Sequence, residues 1–336
     1  MRRRLHLHQH QEGAPSRLPV SSLECNASTY MDIAMAVNAS IPGNASAPSM
    51  LRIGFHTGAS VTAQCPFTGG VNGGWLQFPA EAANFRSAGI SDALAVLAAI
   101  KVAYPCITFA DLSSLAGSIA VEISGGPAIA WYPGRLDSLL PGPASPQFST
   151  RIPDAMFNAA GVSYFYTNVG LTIRESTVFN GGGHSIGGAD PTQSGWNGVF
   201  TPYGDAWPTP TNRYFTDLVN LNWRVDNSTP TADNRLQFMP DSNDINITTD
   251  GQGGTIIRLP SDIAFKDSNV LLEWSKVYAN DPALFENDFT RTVQRYQQMG
   301  AGYGYTLNTS FLWTGFTNST QGFGTNIAPL LDTDAY

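Results

Sequence analysis

Leu51-Arg52-Ile53-Gly54-Phe55-His56-Thr57 is the stretch on which the reading of this chain turns. Proline at position 48 and the close spacing of Met50, Leu51, Ile53 and Phe55 predict a helix over Pro48–Ala59. On such a helix Arg52 and His56, four residues apart, project from one face. A base beside a fixed cation suits a reaction that breaks a polar bond heterolytically. Histidine is scarce here: His6, His8 and His10 sit in the first residues, leaving His56 and His184 for the rest of the chain. His184 stands in Gly181-Gly182-Gly183-His184-Ser185-Ile186-Gly187, where glycines would let a flat, bulky ligand approach the backbone.

Outward from these two points the pattern is mainly helical. Helices are expected at Thr29–Val37, at Asp92–Ala103 with Ser91 as cap, and at Thr108–Ile123, whose nearly continuous apolar character marks it as central. Further helices are expected at Asp154–Asn168, Glu175–Asn180, Asn212–Leu221 and Asn269–Ala279, and at Pro282–Met299 capped by Asp281. Gly181–Gly188 reads as a glycine-rich loop, and Arg235–Met239 with Thr255–Leu259 as a small hairpin. The strand–helix alternation of a doubly wound sheet is missing. Residues 1–25 read as a disordered lead-in and 301–336 as an extended tail packed on the domain formed by 26–300.

Lys and Arg total 18 against 26 Asp and Glu, a net charge of −8, and charged residues are only 13% of the chain. Nothing in this resembles a nucleic-acid-binding surface, and no apolar run approaches the length of a membrane span. Sequons at Asn26, Asn38, Asn44, Asn227, Asn246, Asn308 and Asn318 point to the secretory pathway. Met1–Pro19 is basic, rich in histidine and lacks the apolar stretch of a signal peptide, so the expectation of secretion requires a natural start upstream. The three cysteines, Cys25, Cys65 and Cys106, allow one disulfide and leave one thiol; their spacing does not match a zinc site.

Taken in order, these motifs resemble the plant-type haem peroxidase superfamily, closest in character to its secreted fungal members. Leu51–His56 is similar to the distal LRLxFHD, and Gly69-Gly70-Val71-Asn72-Gly73 to a GGxNG loop. Ile107–Gly117 with Gly125-Gly126-Pro127 is similar to the central helix, and Gly134-Arg135-Leu136-Asp137 to GRxD. Gly182–Gly187 with Ser194-Gly195-Trp196 resembles the proximal GAHTLG region, and Leu259-Pro260-Ser261-Asp262 the motif of the proximal aspartate. The resemblance spans about three quarters of the chain, from Ala47 to Gly300.

The resemblance implies a mainly α, two-lobed fold of about ten helices with a minor β hairpin, its distal part near 26–150 and its proximal part near 151–300. It implies one haem b per chain, with His184 as the axial iron ligand, Asp262 accepting the other ring N–H, and Phe55 packed over the haem. Arg52 and His56 would cleave hydrogen peroxide, and Asn72 would hydrogen-bond the far nitrogen of His56. A small reductant, such as a phenol, would then supply two electrons singly. Asp111 and Arg135 are implied as a buried structural pair, and Glu122 and Glu175 as structural acids. The pairing Cys25–Cys106 would tie an early helix to the central one as in plant members, with Cys25–Cys65 the alternative.

Departures from the family pattern bear on calcium and substrate. Thr57 replaces the aspartate that helps hold a distal calcium, and Ser185 matches one proximal ligand while Thr211 stands where an acid is expected. Phe179 occupies the place of a surface tryptophan in lignin-type members, and Ala45 and Ser49 stand at manganese-binding positions. Trp207 is the candidate for a radical-forming proximal tryptophan. A monomer is expected. The alternative reading is a non-catalytic secreted glycoprotein that keeps the fold and its haem.

Overall fold

The structure, a computed structural model, describes residues 25–41, 47–59, 61, 70–83, 87–139, 152–201, 212–229, 231–241, 255–299 and 311–316. Helix α1 runs Ala27–Ser40 and α2 Ala47–Gly58, followed by the single turn α3, Pro79–Ala82. Next come α4, Ser91–Ala103, and α5, Phe109–Ile123. Thr108 caps α5 by accepting from the Asp111 N–H, while Ser91 forms the first residue of α4 rather than its cap.

The second half contains α6, Ala159–Val169; α7, Ile173–Gly183; and α8, Arg213–Asn220. It closes with α9, Pro260–Asp267; α10, Asn269–Asn280; and α11, Pro282–Tyr296, whose cap Asp281 accepts from the Leu284 N–H. Two small antiparallel pairs complete it, β1 (Gly188–Ala189) with β2 (Gly198–Val199) and β3 (Trp223–Val225) with β4 (Phe238–Pro240). The fold is mainly α with a minor β hairpin in a two-lobed arrangement, as the sequence implies. The hairpin partner differs: Arg258 forms only an isolated bridge to Phe238, and Trp223–Val225 supplies the strand.

Each lobe has its own core. Ile33, Val37, Met50, Ile53, Leu97 and Leu115 fill the first, together with Trp131 and Trp313; Val178, Phe215, Phe265, Phe285 and Phe289 fill the second. The seating of α2 depends on two glycines: a Cβ on Gly54 would lie 3.3 Å from Gly117 Cα, so both helices approach backbone to backbone. That contact sets the height of Arg52 and His56 above the central helix. Cys25 and Cys106, 81 residues apart, are joined by a disulfide, which draws Cys25 out of the expected lead-in and stabilises α1 against the region before α5. A loop of that length restricts the unfolded chain by about 4 kcal/mol in the loop-entropy account. Cys65 lies outside the described residues, and no described helix is long and apolar enough to cross a membrane.

Candidate active site

Helix α2 brings Arg52 and His56 onto one face, where Arg52 Nε donates to His56 Nε2 over 3.3 Å and Arg52 Nη1 donates to the Ala88 carbonyl at 2.6 Å. Because Nε2 accepts, the ring proton belongs on Nδ1, which faces Ser87 Oγ at 3.2 Å. Ser87 is buried, so its hydroxyl is held as the acceptor of that N–H. Asn72, expected at this nitrogen, has its Oδ1 accepting from the Leu136 N–H at 2.9 Å. The cause is the loop itself: Gly73 exchanges backbone hydrogen bonds with Leu136 and Ser138, which turns Asn72 toward the Gly134–Asp137 loop. Ser87 and Ala88 instead form one short segment that grips both the imidazole and the guanidinium.

Burial and the neighbouring Arg52 charge both push the His56 pKa well below the ordinary 6.5, so the ring is a neutral base at physiological pH. Burial brings Arg52 down to about 10, which leaves it protonated there. The Phe55 ring stands 5.6 Å from that of Phe179 on α7, so it packs where the two lobes meet.

On the other side α7 continues through its glycines instead of ending at Asn180, and His184 caps its C-terminus. Tight packing explains the glycines: a Cβ on Gly181 would lie 2.2 Å from the Phe215 ring and one on Gly182 2.1 Å from Phe289. His184 Nδ1 donates to Asp262 Oδ1 at 2.7 Å. The same oxygen accepts from Tyr214 Oη at 2.6 Å and Asn180 Nδ2 at 3.1 Å, while Oδ2 accepts from the Leu259 N–H. Burial alone would raise the Asp262 pKa, but His184, these donors and Arg258 override it and lower the value to about 2. Arg258 is fully buried over the Tyr214 ring and donates to the carbonyls of Phe200, Ile257 and Tyr214. Phe200 stacks face to face on His184, with centroids 4.3 Å apart. Nothing among the described residues hydrogen-bonds His184 Nε2.

Residues 31–281 match the model of the family described as peroxidase. The chain belongs to the peroxidase family. It is 31% identical over 253 residues, 75% of its length and 79% of the relative's, to a Pyricularia oryzae protein named as a heme-binding peroxidase. It is 30% identical to a peroxisomal L-ascorbate peroxidase of Oryza sativa subsp. japonica, covering 79% of this chain and 77% of that one. It is also 30% identical to the mitochondrial cytochrome c peroxidase of Candida albicans, covering 82% of this chain and 70% of that one.

Elsewhere in this peroxidase the other candidate residues have plain structural surroundings. Asp111 and Arg135 form a fully buried ion pair at 2.9 Å, and Asp111 also accepts the Gly134 and Arg135 N–H groups. Glu175 completes a capping box with Thr172, and Glu122 accepts the Phe316 N–H. Thr57 Oγ1 donates to the Ile53 carbonyl and Ser185 Oγ to the Gly181 carbonyl, both bonds closing within their own helix end. No group of three or more His, Cys, Asp or Glu side chains able to hold a metal gathers among the described residues. The ring against His184 is Phe200; Trp207 and Thr211 lie outside the described residues, as do Asn44, Asn246, Asn308 and Asn318. Asn26 and Asn227 are exposed, and Asn38 is half-buried within α1.

Sequence reasoning missed Ser87, Asn180, Phe200, Tyr214 and Arg258. Arg258 had a legible signal, a lone charge among the apolar residues Ile256, Ile257 and Leu259 four positions before Asp262. Ser87 had none, since a serine next to alanine and glycine looks like any loop.

Proposed function

We propose that this peroxidase binds one haem b through His184 and uses Arg52 and His56 to cleave hydrogen peroxide, with small phenols or similar donors as reductants. Family membership supports haem-dependent, hydrogen-peroxide-consuming oxidoreductase activity in general. The observation that carries the finer reading is the pair of imidazoles, each oriented through Nδ1: the Nε2 of one accepts from a buried guanidinium, and the Nε2 of the other has no hydrogen-bond partner among the described residues.

The proximal residues fit haem. Asp262 fixes the His184 tautomer, leaving Nε2 as the nitrogen that would hold the haem iron. A Cβ on Gly183 would meet nothing within 4 Å, so the backbone beside the ligand is uncrowded. Bound haem supplies the electrons that break the peroxide bond and recovers them one at a time from the reductant. His56 Nε2 takes a proton from the nearer peroxide oxygen and returns it to the departing one. Arg52 stabilises the negative charge that grows on that oxygen. Ser87 keeps the His56 ring turned so that Nε2, not Nδ1, meets the peroxide. Asp262, fully ionised, strengthens the donor character of His184.

The disulfide and the exposed sequon residues Asn26 and Asn227 support passage through an oxidising, glycosylating compartment. The same reading takes 26–300 as the working domain of a monomer. Residues 311–316 support packing of the tail, since Trp313 bridges to Trp131.

The test is an absorption spectrum of the haem-loaded protein before and after one equivalent of hydrogen peroxide. A ferric Soret band that converts within milliseconds is the expected result. His56→Leu should retain haem and slow that conversion by about 10²–10⁴-fold, the range general acid–base groups supply. Haem binding without conversion in the parent protein would point to a non-catalytic relative, and folded protein that binds no haem would sink the assignment.

A further inference from the structure

Arg258 is fully buried, yet among the described residues no carboxylate is bonded to it. Its guanidinium carbon lies 4.4 Å from the centroid of the Tyr214 ring and 4.7 Å from that of Trp223. Nη1 donates to the carbonyls of Phe200 at 2.6 Å and Ile257 at 2.8 Å, and Nη2 donates to that of Tyr214 at 3.0 Å. Two acids in this lobe have other donors. Asp217 accepts from Arg213 at 2.6 Å, and Asp262 accepts from His184, Tyr214, Asn180 and the Leu259 N–H.

Two of the carbonyls that Arg258 holds belong to the residues that touch the proximal pair. Phe200 stacks on the His184 ring with the planes 3° apart, and Tyr214 donates its hydroxyl to Asp262 Oδ1. The segment carrying Arg258 is itself fixed on both edges: the Ile257 N–H donates to the Val199 carbonyl, and Arg258 exchanges both backbone hydrogen bonds with Phe238. One guanidinium therefore ties together Phe200 after β2, Tyr214 in α8 and the segment before α9. Bridging carbonyls requires only N–H donors, whereas a buried charge without a bonded counter-ion is costly. At Asp217 and Asp262 burial works against ionisation and the Arg258 charge works for it. The cation lies over Tyr214, whose ring centroid is 6.3 Å from that of His184. A permanent charge in this interior also acts on what His184 holds, and it disfavours the more positive state.

We propose that Arg258 is a positioning residue whose charge sets the oxidising strength of the bound haem, and with it the range of phenols this peroxidase oxidises. The proposal rests on the haem-peroxidase reading. Asp262 draws on the His184 ring proton and gives the ligand anionic character, which favours the oxidised iron. The Arg258 charge opposes that effect, so the haem draws electrons from weaker donors. Each phenol gives one electron to the oxidised haem and one proton to water, and leaves as a phenoxyl radical. Two phenols return the haem to its ferric state for each peroxide, which takes up two protons and leaves as two waters.

A spectroelectrochemical titration of the ferric/ferrous couple in haem-loaded protein at neutral pH decides the matter. Arg258→Met, apolar and of similar reach, should bind haem and shift the equilibrium toward ferric by about tenfold, a potential lower by about 59 mV for one electron. Arg258→Lys keeps the charge but cannot bridge the same three carbonyls as a planar fork, and should stay near the parent potential. In steady state, Arg258→Met should lose rate with para-cyanophenol, an electron-poor donor, and keep it with electron-rich para-methoxyphenol. Should Arg258→Met fail to fold, Arg258→Lys tests the point by itself, because a fall in its potential would show that the bridge and not the charge acts on the iron. Haem bound at the parent potential in Arg258→Met also overturns the proposal, and leaves the haem reading standing. Folded parent protein that binds no haem overturns both.

Discussion

His56 and His184 are the same side chain held in the same way, through Nδ1, and what receives that proton differs between them; on the proposed function this gives them opposite work. His56 donates to a neutral serine hydroxyl in a buried pocket and has a guanidinium at its other nitrogen. Burial and like charge keep it unprotonated, ready to take a proton for a moment. His184 donates to a fully ionised carboxylate that three other donors hold in place, and its other nitrogen has no hydrogen-bond partner among the described residues. A strong acceptor makes a firm ligand, and a weak one leaves a mobile base. The two anchors therefore should not be interchangeable, and changing each tests the contrast.

The largest effect is expected at the carboxylate. Asp262→Asn removes the charge that balances fully buried Arg258 and puts an amide among His184, Tyr214, Asn180 and the Leu259 N–H, all of them donors. Leaving a buried donor without its acceptor costs about 1–3 kcal/mol per group, so urea unfolding of the apoprotein should show a loss of about 3 kcal/mol or more. Stability should also depend on pH through this group. With its folded pKa depressed to about 2, Asp262 contributes stability above its unfolded value near 3.9 and loses it as pH falls toward 2. In Asp262→Asn this part of the acid slope should vanish; an unchanged slope would mean that the carboxylate is not tied as described.

A smaller effect separates the helices that carry the two histidines. Gly182→Ala on α7 would place Cβ 2.1 Å from the Phe289 ring, within a packed core, and should destabilise by about 2–3 kcal/mol. Gly54→Ala on α2 meets Gly117 Cα at 3.3 Å, a contact relieved by a slight separation of the helices, and should destabilise by about 1 kcal/mol. Thermal unfolding of the two variants checks the order, and the reverse order would show that α2 is the more rigidly seated helix.

Much of this was legible in the chain. The helices expected at Thr108–Ile123 and Pro282–Met299 are found at Phe109–Ile123 and Pro282–Tyr296, close to where apolar periodicity and, for the second, the Asp281 cap put them, because local signals and core burial agree there. Helix α7 was cut short, since glycine propensity argues against a helix through Gly181–Gly183. Packing against Phe215 and Phe289 overrides that propensity, and those residues lie dozens of positions away. The same reason explains the site. Arg52 and His56 share one helix face and could be paired by spacing, whereas Ser87 reaches His56 only through tertiary placement of an unremarkable loop. Asn72 has the better side chain for the task and the wrong loop.

That last substitution of one residue for another gives the finest test of the two-histidine contrast. If Ser87 orients His56, Ser87→Ala should leave haem binding intact and slow the reaction with peroxide by about fivefold, a single neutral hydrogen bond being worth about 1 kcal/mol. Ser87→Thr, which keeps the hydroxyl, should restore most of the rate, and Asn72→Ala should leave it near that of the parent. The pH profile sharpens the point. A His56 pKa well below 6.5 means that the rate should stay flat as pH falls through 6.5 and decline only at more acid pH, where the ring finally gains a proton. Without the serine oxygen the Nδ1 proton loses its acceptor, the imidazolium loses a stabilising contact, and the decline should move further toward acid. A slowed rate with an unmoved inflection would mean that Ser87 merely fills space beside the ring, and a variant equal to Asn72→Ala would return the anchoring role to the asparagine loop.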